Sequence, residues 1–396
     1  MKSISDVYIV GNGPSSSHTM GPSFALEYVF YKYPNIDSIK IILYGSLALT
    51  GKGHLTDKVL ENKLKLKNIN YDIQFDTVTK VKHPNTMDFI ISTPNGIKNE
   101  RILSTGGGSI RVLSKKREKQ QEVYDEHYLS SILKICNERK ITLYEYVKAH
   151  ESYKVMDYLE VVYETMTSSI KRGVSCDGIL PGPLHVQRKA KNMLSTNIPM
   201  FDDISRAVCA ASFAASEENA SGGIVVTSPT CGSCGVLPGV LTYLHLKGIA
   251  KEKIIEGLAV AGLIGIIIKT NASVSGAVGG CQAEIGAACA MGSAMIMHAL
   301  GYDNDKIAQA SEIALEHSLG LTCDPIKGYV QIPCIERNAS FALKSIDSAL
   351  IASITGKHTN KITFDAIVRT MYETGKDMNK GYKETSKKGM SKIECF

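Results

Sequence analysis

Four cysteines in the last third of the chain are the residues whose chemistry is easiest to anticipate. Cys281, Cys323 and Cys334 lie in the segments GGCQAEIG, GLTCDPIKG and QIPCIERNA, and Cys395 is the penultimate residue. Glycine and proline interrupt these segments, so the sulfur atoms can converge on one centre instead of following a helical stripe. Three such thiolates would hold an iron–sulfur cluster, and the tail cysteine could reach the remaining iron. This arrangement would suit a lyase better than an electron carrier, because the spacing matches no ferredoxin pattern.

A second candidate site is the segment GPSSSHTMGP at residues 13–22. The hydroxyl groups of Ser15, Ser17 and Thr19, together with backbone N–H groups at a helix start, can hold a carboxylate. His18 is the base of this segment that works near neutral pH. The alternative is a well-capped helix start with an incidental histidine. The Gly-Pro pairs on both sides favour a site, in which the hydroxyls bind substrate and His18 is the catalytic base.

Two other glycine-containing segments allow more than one interpretation. Residues 44–54, YGSLALTGKGH, resemble a nucleotide-binding loop, but the glycine spacing fits neither a P-loop nor a dinucleotide motif. We therefore predict a strand-to-helix turn at the site or at a domain interface. Cys231 and Cys234 form an isolated CxxC, which could be a redox pair or half of a zinc site. We favour a polar loop that lines a pocket.

The segment TNASVSG ends an apolar run and leads towards Cys281. Polar groups such as Asn271 and Ser273 at the end of a buried helix need partners. A bound substrate or the fold itself could supply them equally well. We keep both residues as weaker substrate-binding candidates.

Composition indicates an ordinary globular protein. The 396 residues are 44% hydrophobic, lack tryptophan and carry a formal charge of +6, which is enough chain for two domains and a large core. Lysine-rich stretches at 115–119 and 376–392 are typical of a solvated linker and tail. Because no basic stripe is interleaved with aromatic residues, we expect no nucleic-acid partner.

The apolar stretches of the sequence bear on where in the cell the protein is located. The first residues lack the apolar core of a signal peptide. The runs 257–268 and 285–301 are too short or too interrupted to span a bilayer, so they predict buried helices. We therefore expect a cytoplasmic protein without membrane contact, in which the ten cysteines are thiols or metal ligands.

The two halves of the chain differ in the pattern of their apolar residues. Up to about residue 113, β-branched and aromatic runs alternate with helical stretches, as in SIKIILYGS, YDIQF and DFIIST. After about residue 129 the pattern is helical, with runs rich in alanine and glycine. We predict an α+β protein: a small N-terminal α/β domain over residues 1–125 and a larger all-helical domain over residues 126–396.

With these segments collected, the chain resembles the iron–sulfur-dependent L-serine dehydratases. The similarity runs nearly end to end. The motifs that carry it are GPSSSHTMGP, YGSLALTGKGHLTD, HPNTMDF, STGGG, LPGPL, EENASGG, TNASVSG, GCQAEIG, SLGLTCDPIKGYVQIPCIERNA and MYETGKDMNKGYKETS. The resemblance implies an N-terminal domain like the allosteric substrate-binding domain of phosphoglycerate dehydrogenases. It also implies that this domain is fused on one chain to a helical catalytic domain.

The resemblance also implies roles for individual residues. Cys281, Cys323 and Cys334 match the three ligands of a [4Fe–4S] cluster, and Cys395 matches a tail cysteine that occupies the fourth iron without substrate. His18 matches a histidine at the active site. Cys231 is a departure, because the family more often has Asn or Ala at this point of a PTxGxxG loop, and this bears on substrate preference.

The implied reaction converts L-serine to pyruvate and ammonia without pyridoxal phosphate. The cluster would act as a Lewis acid on the substrate carboxylate and hydroxyl while a base takes the Cα proton. We expect the enzyme to be a homodimer. Two alternatives keep part of the chemistry: an iron–sulfur sensor, which needs no serine and histidine cradle, and a hydro-lyase that acts on another hydroxy acid.

Overall fold

The computed structural model describes residues 1–115, 122–196, 199, 202–356, 361–385 and 387–394. The strands of these residues are β1 (Val10–Asn12), β2 (Ser38–Tyr44), β3 (Asn70–Asp76), β4 (Thr86–Thr93), β5 (Gly96–Gly106), β6 (Ser109–Val112) and β7 (Ile224–Val226). The helices are α1 (Gly21–Lys32), α2 (Ser46–Thr50), α3 (Thr56–Leu66), α4 (Leu129–Arg139), α5 (Leu143–His150), α6 (Tyr153–Ser175), α7 (Ala190–Ser195), α8 (Asp203–Ala220), α9 (Val236–Leu246), α10 (Lys251–Asn271), α11 (Gly276–Gly279), α12 (Ala287–Ala299), α13 (Asn304–Glu316), α14 (Cys334–Ile354) and α15 (Phe364–Asp377).

The N-terminal half is built on a five-stranded sheet in the order β3-β2-β4-β5-β6. β2 and β3 are parallel, and the other neighbours are antiparallel. Ile39, Ile41 and Leu43 alternate along β2, so they lie on one face. This face packs against α1 and α3, which bury residues such as Leu26 and Leu60. The predicted α/β domain is confirmed.

The C-terminal half is a helical domain arranged around α10 and α12. α12 and the stretch of α10 from Gly257 to Ile268 are apolar on every side and are buried among the other helices. Small residues let the helix backbones approach closely: a Cβ at Gly173 of α6 would lie 2.3 Å from the carbonyl oxygen of Ala214 in α8. A Cβ at Gly239 of α9 would lie 2.7 Å from the Cβ of Ala342 in α14. The predicted α+β class, with a sheet domain followed by a larger helical domain, is confirmed.

One described helix, α10, is long and apolar enough to cross a membrane. Most of it is buried inside the protein. Core helices of globular proteins meet the same criterion of length and composition.

The first residues of the chain lie against the helical half. Ile4 and Val7 belong to its core, and the Tyr8 hydroxyl donates a hydrogen bond to the Leu258 carbonyl of α10 at 2.8 Å. β1 then pairs antiparallel with β7, with Val10 opposite Val226. This pairing fixes the start of residues 13–22 at the junction of the two halves. The predicted limits of the domains, residues 1–125 and 126–396, stay a prediction.

Candidate active site

A cavity lies at this junction, and polar groups from both halves line it. The N-terminal half contributes hydroxyl groups, a histidine and the glycines that follow β5, whereas the helical half contributes thiols and carboxylates. Its polar lining comes from Ser15, Ser16, Ser17, His54, Thr230, Ser275, Glu284, Cys323, Cys334 and Glu384. Segments that are distant in the sequence therefore meet at one place.

Three predicted metal ligands come together on the helical side of this cavity. Cys281, Cys323 and Cys334 are each at most 8% exposed. Cys281 precedes a π-helical turn, Gln282–Gly286, and Cys334 is the first residue of α14. Cys323 lies in a loop whose backbone bonds to the segment after α15: its N–H donates to the Tyr382 carbonyl at 2.8 Å, and its carbonyl accepts from the Glu384 N–H at 2.6 Å.

The donor atoms are close enough to share a metal centre. The sulfur atoms of Cys281 and Cys323 and a carboxylate oxygen of Glu284 all lie within 4.8 Å of one another. A hydrogen bond with Cys281, with burial, raises the pKa of the Cys323 thiol, and burial raises that of Cys334. All three cysteines are free thiols. Three buried thiols are the donor type that iron–sulfur clusters require, so these residues fit such a cluster. Cys395 lies outside the described residues.

Two histidines stand side by side, and only one of them lines the cavity. His18 and His54 are both buried, with ring centroids 4.6 Å apart. Both ring nitrogens of His18 are engaged, Nδ1 with the Ser17 hydroxyl at 2.8 Å and Nε2 with the Ser46 hydroxyl at 2.9 Å. His54 contacts the Thr50 carbonyl through Nδ1 at 3.1 Å, which places the proton on Nδ1. Among the described residues no hydrogen bond is made by Nε2 of His54, so this nitrogen can accept a proton.

The environment keeps both imidazoles neutral. Burial lowers the pKa of His54 to about 4. Burial, and then the proximity of His54, lowers the pKa of His18 well below its usual range. A neutral imidazole at pH 7 can act as a base, whereas an imidazolium cannot.

The serine-rich segment forms a π-helical turn, Ser16–Met20, that leads directly into α1. The Ser15 hydroxyl accepts a hydrogen bond from the His18 N–H at 3.1 Å. The Thr19 hydroxyl accepts from the Ser15 N–H at 3.1 Å and donates to the His54 carbonyl at 2.7 Å. Ser15 and Ser17 therefore line the cavity, while Thr19 connects this turn to the segment that holds His54.

The structure places Asn271 and Ser273 away from the cavity lining. Asn271 ends α10, and its Nδ2 donates to the carbonyl groups of His127, at 2.6 Å, and Ile267. The Ser273 hydroxyl accepts from the Ser275 N–H at 3.1 Å. In this segment the residues that reach the cavity are Ser275 and Gly276.

The CxxC segment lies beside the cavity, and its two thiols are buried in the protein and do not line the cavity. Cys231 and Cys234 are buried, and the Cys231 sulfur lies 3.7 Å from the Met20 sulfur. Thr230 and Gly232 contribute to the cavity lining. The prediction of a polar loop that lines a pocket is confirmed.

Sequence reasoning missed His54, Thr230, Glu284 and Glu384 as site residues. His54 ends the GKGH motif, which we predicted to be a turn at the site or at an interface, and that prediction is confirmed. Glu284 lies three residues after Cys281, a spacing that could have drawn attention to it. Burial raises the pKa of Glu284 and raises that of Glu384 to about 8.

Comparisons with known proteins show the family of this chain. The family model of the serine dehydratase alpha chain matches residues 101–391, and that of the serine dehydratase beta chain matches residues 3–65. This chain belongs to the L-serine dehydratase family. Its sequence combines the alpha and beta parts of the family in a single chain, as the resemblance implies.

Relatives of this family match over their whole length. L-serine dehydratase of Haemophilus influenzae is 37% identical, and the alignment covers 100% of both chains. L-serine dehydratase 1 of Escherichia coli is 34% identical with the same coverage. L-serine dehydratase of Helicobacter pylori is 36% identical over 99% of each chain. The sequence-based assignment to the family is confirmed.

Proposed function

We propose that this chain is an L-serine ammonia-lyase that dehydrates L-serine and releases pyruvate and ammonia. The observation that carries the proposal is a cavity lined by the buried thiols of Cys323 and Cys334, by serine hydroxyls and by the neutral His54, with the Cys281 sulfur beside that of Cys323. The relatives named as L-serine dehydratases support the choice of substrate.

The proposed cofactor is a [4Fe–4S] cluster held by Cys281, Cys323 and Cys334. When bound, a cluster with three cysteine ligands supplies a Lewis-acidic iron that can polarise a substrate oxygen. The proposed role of Cys395 as a ligand of the fourth iron stays a prediction.

The serine hydroxyls at the start of the π-helical turn are the proposed substrate-binding groups. Ser15 and Ser17 line the cavity, and their hydroxyl oxygens are 3.3 Å apart. Hydroxyl groups at this spacing can donate hydrogen bonds to the two oxygens of one carboxylate. Thr19 contributes by holding the His54 backbone. Roles for Asn271 and Ser273 in substrate binding stay predictions.

His54 is the proposed base. Its Nδ1–H is held by the Thr50 carbonyl, and its free Nε2 belongs to a side chain that lines the cavity. In this position it can take the Cα proton of serine and return it to the departing β-hydroxyl, which leaves as water. The resulting 2-aminoacrylate tautomerises to an imine, which water hydrolyses to pyruvate and ammonia, so no further catalytic group is needed. The prediction that His18 is the base remains to be tested against His54.

Independence from pyridoxal phosphate is part of the proposal. That cofactor requires a lysine for its Schiff base. Among the described residues that line the cavity there is no lysine. The homodimer and the cytoplasmic location stay predictions.

The test is product formation by the anaerobically purified chain, with L-serine, L-threonine and malate as substrates. We expect pyruvate and ammonium in equal amounts from L-serine, with the rate unchanged by hydroxylamine, which inactivates pyridoxal phosphate enzymes. Turnover of another hydroxy acid without turnover of L-serine would contradict the proposed substrate.

A further inference from the structure

Three described residues that line the junction cavity have purely aliphatic side chains: Pro14, Pro325 and Val330. The other lining residues carry hydroxyl, thiol, imidazole or carboxylate groups, or are glycines without a side chain. The two prolines are rings closed on their own backbone, whereas Val330 has a branched side chain. An aliphatic group in such a cavity does not hold the polar groups of a substrate, but it limits the space for the substrate's carbon atoms.

Contacts on both sides of Val330 fix the backbone at this position. The Gln331 N–H donates to the Tyr329 carbonyl at 2.7 Å, and Nε2 of Gln331 donates to the Pro181 carbonyl at 2.7 Å. The Tyr329 ring lies close to Gly182, where a Cβ would be 2.5 Å from Cε1 of the ring. Because both neighbours of Val330 are held, this residue is a firm part of the cavity wall.

The same loop contacts the segment that carries the proposed base. Gly53 precedes His54, and a Cβ at Gly53 would lie 3.6 Å from Cε2 of Tyr329, an ordinary van der Waals distance. The loop of the helical half that carries Val330 therefore packs against the segment of the N-terminal half that carries His54. This contact sets the position of Val330 relative to the base.

The proposed substrate-binding groups determine which end of a substrate faces Val330. The hydroxyl groups of Ser15 and Ser17 and the imidazole of His54 all belong to the N-terminal half. A serine molecule whose carboxylate and Cα proton are held on that side directs its β-carbon towards the wall of the helical half. Val330 is part of this wall, together with Pro325. A substituent on the β-carbon would therefore meet a branched aliphatic side chain.

We infer that Val330 is a specificity-determining residue that admits the CH₂ group of L-serine and excludes β-hydroxy amino acids with a substituent on the β-carbon, of which L-threonine is the simplest. The inference rests on the proposed function, because it takes a β-hydroxy amino acid held by Ser15 and Ser17 as the substrate. In an apolar part of a site, one methyl or methylene group changes kcat/KM by roughly 10–200-fold.

The test is the specificity of the full chain, loaded with iron and sulfide without oxygen, for L-serine and L-threonine. Elimination from L-threonine removes the Cα proton and the β-hydroxyl as water, and hydrolysis of the resulting imine gives 2-oxobutanoate and ammonia. We expect Val330→Ala to raise the ratio of kcat/KM for L-threonine to kcat/KM for L-serine by roughly 10–200-fold. Val278→Ala, at a position that is 49% exposed, is the matched control and should keep the wild-type ratio.

An unchanged ratio in Val330→Ala at wild-type iron content overturns the inference, because a purely structural role would lower kcat/KM for both substrates equally. Similar kcat/KM values of the wild type for the two amino acids overturn it as well. If Val330→Ala does not take up iron, Val330→Ile supplies the measurement. Its additional methyl group should lower kcat/KM for L-serine by roughly tenfold or more, and an unchanged value would contradict the inference.

The two substrates also separate this inference from the proposed function. A loaded wild type that forms no pyruvate from L-serine contradicts the proposed function and the inference together. Pyruvate formation by the wild type, with an unchanged ratio in Val330→Ala, overturns the inference alone.

Discussion

His18 and His54 occupy adjacent positions but differ in what their ring nitrogens contact. The two nitrogens of His18 lie between hydroxyl groups of Ser17 and Ser46, as in a side chain that supports its neighbours. His54 lines the cavity, its Nδ1 contacts a backbone carbonyl, and its Nε2 makes no hydrogen bond with the described residues. Because of this asymmetry we propose proton transfer for His54 and a positioning role for His18.

Replacing each histidine by glutamine tests this assignment. We expect His54→Gln to lower kcat by roughly 10²–10⁴-fold, the usual contribution of a well-placed base, with iron and sulfide content unchanged. His18→Gln should lower kcat less, since glutamine can still bond to Ser17 or Ser46. Steady-state kinetics on cluster-loaded samples gives the comparison. A larger loss in His18→Gln at full iron content would return the role of base to His18.

The cysteines could be predicted from the sequence, but their carboxylate neighbour could not. A cysteine in a segment rich in glycine and proline has few structural roles, so Cys281, Cys323 and Cys334 were identifiable. Glutamate is common on any surface, and the place of Glu284 beside Cys323 depends on Thr230 and Gly276 being brought against it by folding. Contacts between distant segments leave no local pattern.

At the scale of elements, two π-helical turns carry site residues. Ser16–Met20 leads into α1, and Gln282–Gly286 leads into α12. Turns of this kind are rare and concentrate at functional sites. The strands β2, β3 and β4 were predictable from alternating apolar residues. The π-helical turns and the pairing of β1 with β7 were not, because tertiary contacts determine them.

The close approach of α6 and α8 depends on glycine. A Cβ at Gly173 would lie 2.3 Å from the Ala214 carbonyl oxygen, and backbone atoms cannot move aside as a flexible side chain would. We expect Gly173→Ala to lower the free energy of unfolding by about 1–3 kcal/mol, the typical cost of overpacking. Ser168→Ala, at an exposed position of the same helix, should change it by less than about 0.5 kcal/mol.

Urea unfolding followed by circular dichroism measures both variants. Equal stability of Gly173→Ala and wild type would show that α6 and α8 can separate without loss of packing. The view of the helical half as closely packed by small residues would then be wrong at this contact.

At the scale of the whole molecule, the site exists only where the two halves meet. The N-terminal half supplies His54 and the serine hydroxyls, and the helical half supplies the thiols and carboxylates. The sequence indicated both halves and singled out Cys281, Cys323 and Cys334, which the fold brings together. It did not indicate how the halves face each other. The residues that line the junction cavity are far apart in the chain, as the serine hydroxyls of the N-terminal half and Thr230 of the helical half are.

The buried histidines should make the fold sensitive to acid. His54 takes up a proton near pH 6.5 when unfolded but only near pH 4 when folded. Between these values the unfolded state binds more protons, so the free energy of unfolding falls as the pH is lowered through this range. The shift of His54 corresponds to roughly 3 kcal/mol.

Urea unfolding of the metal-free chain at pH 7, 6, 5 and 4.5 checks this expectation. His54→Gln should lose part of the pH dependence and give a flatter profile than wild type. His127→Gln, whose ring is 41% exposed, is the control and should follow the wild-type profile. Identical slopes for His54→Gln and wild type would mean that His54 is protonated in the folded protein at a normal pKa.

The proposed catalytic cluster is tested most directly by the rate of pyruvate formation from L-serine across samples reconstituted anaerobically to increasing cluster content. If Cys281, Cys323 and Cys334 hold the catalytic centre, the rate rises in proportion to iron and sulfide, disappears on exposure to air, and is absent in Cys334→Ser. Pyruvate formation that is independent of iron content, or that survives in Cys334→Ser, would contradict the account.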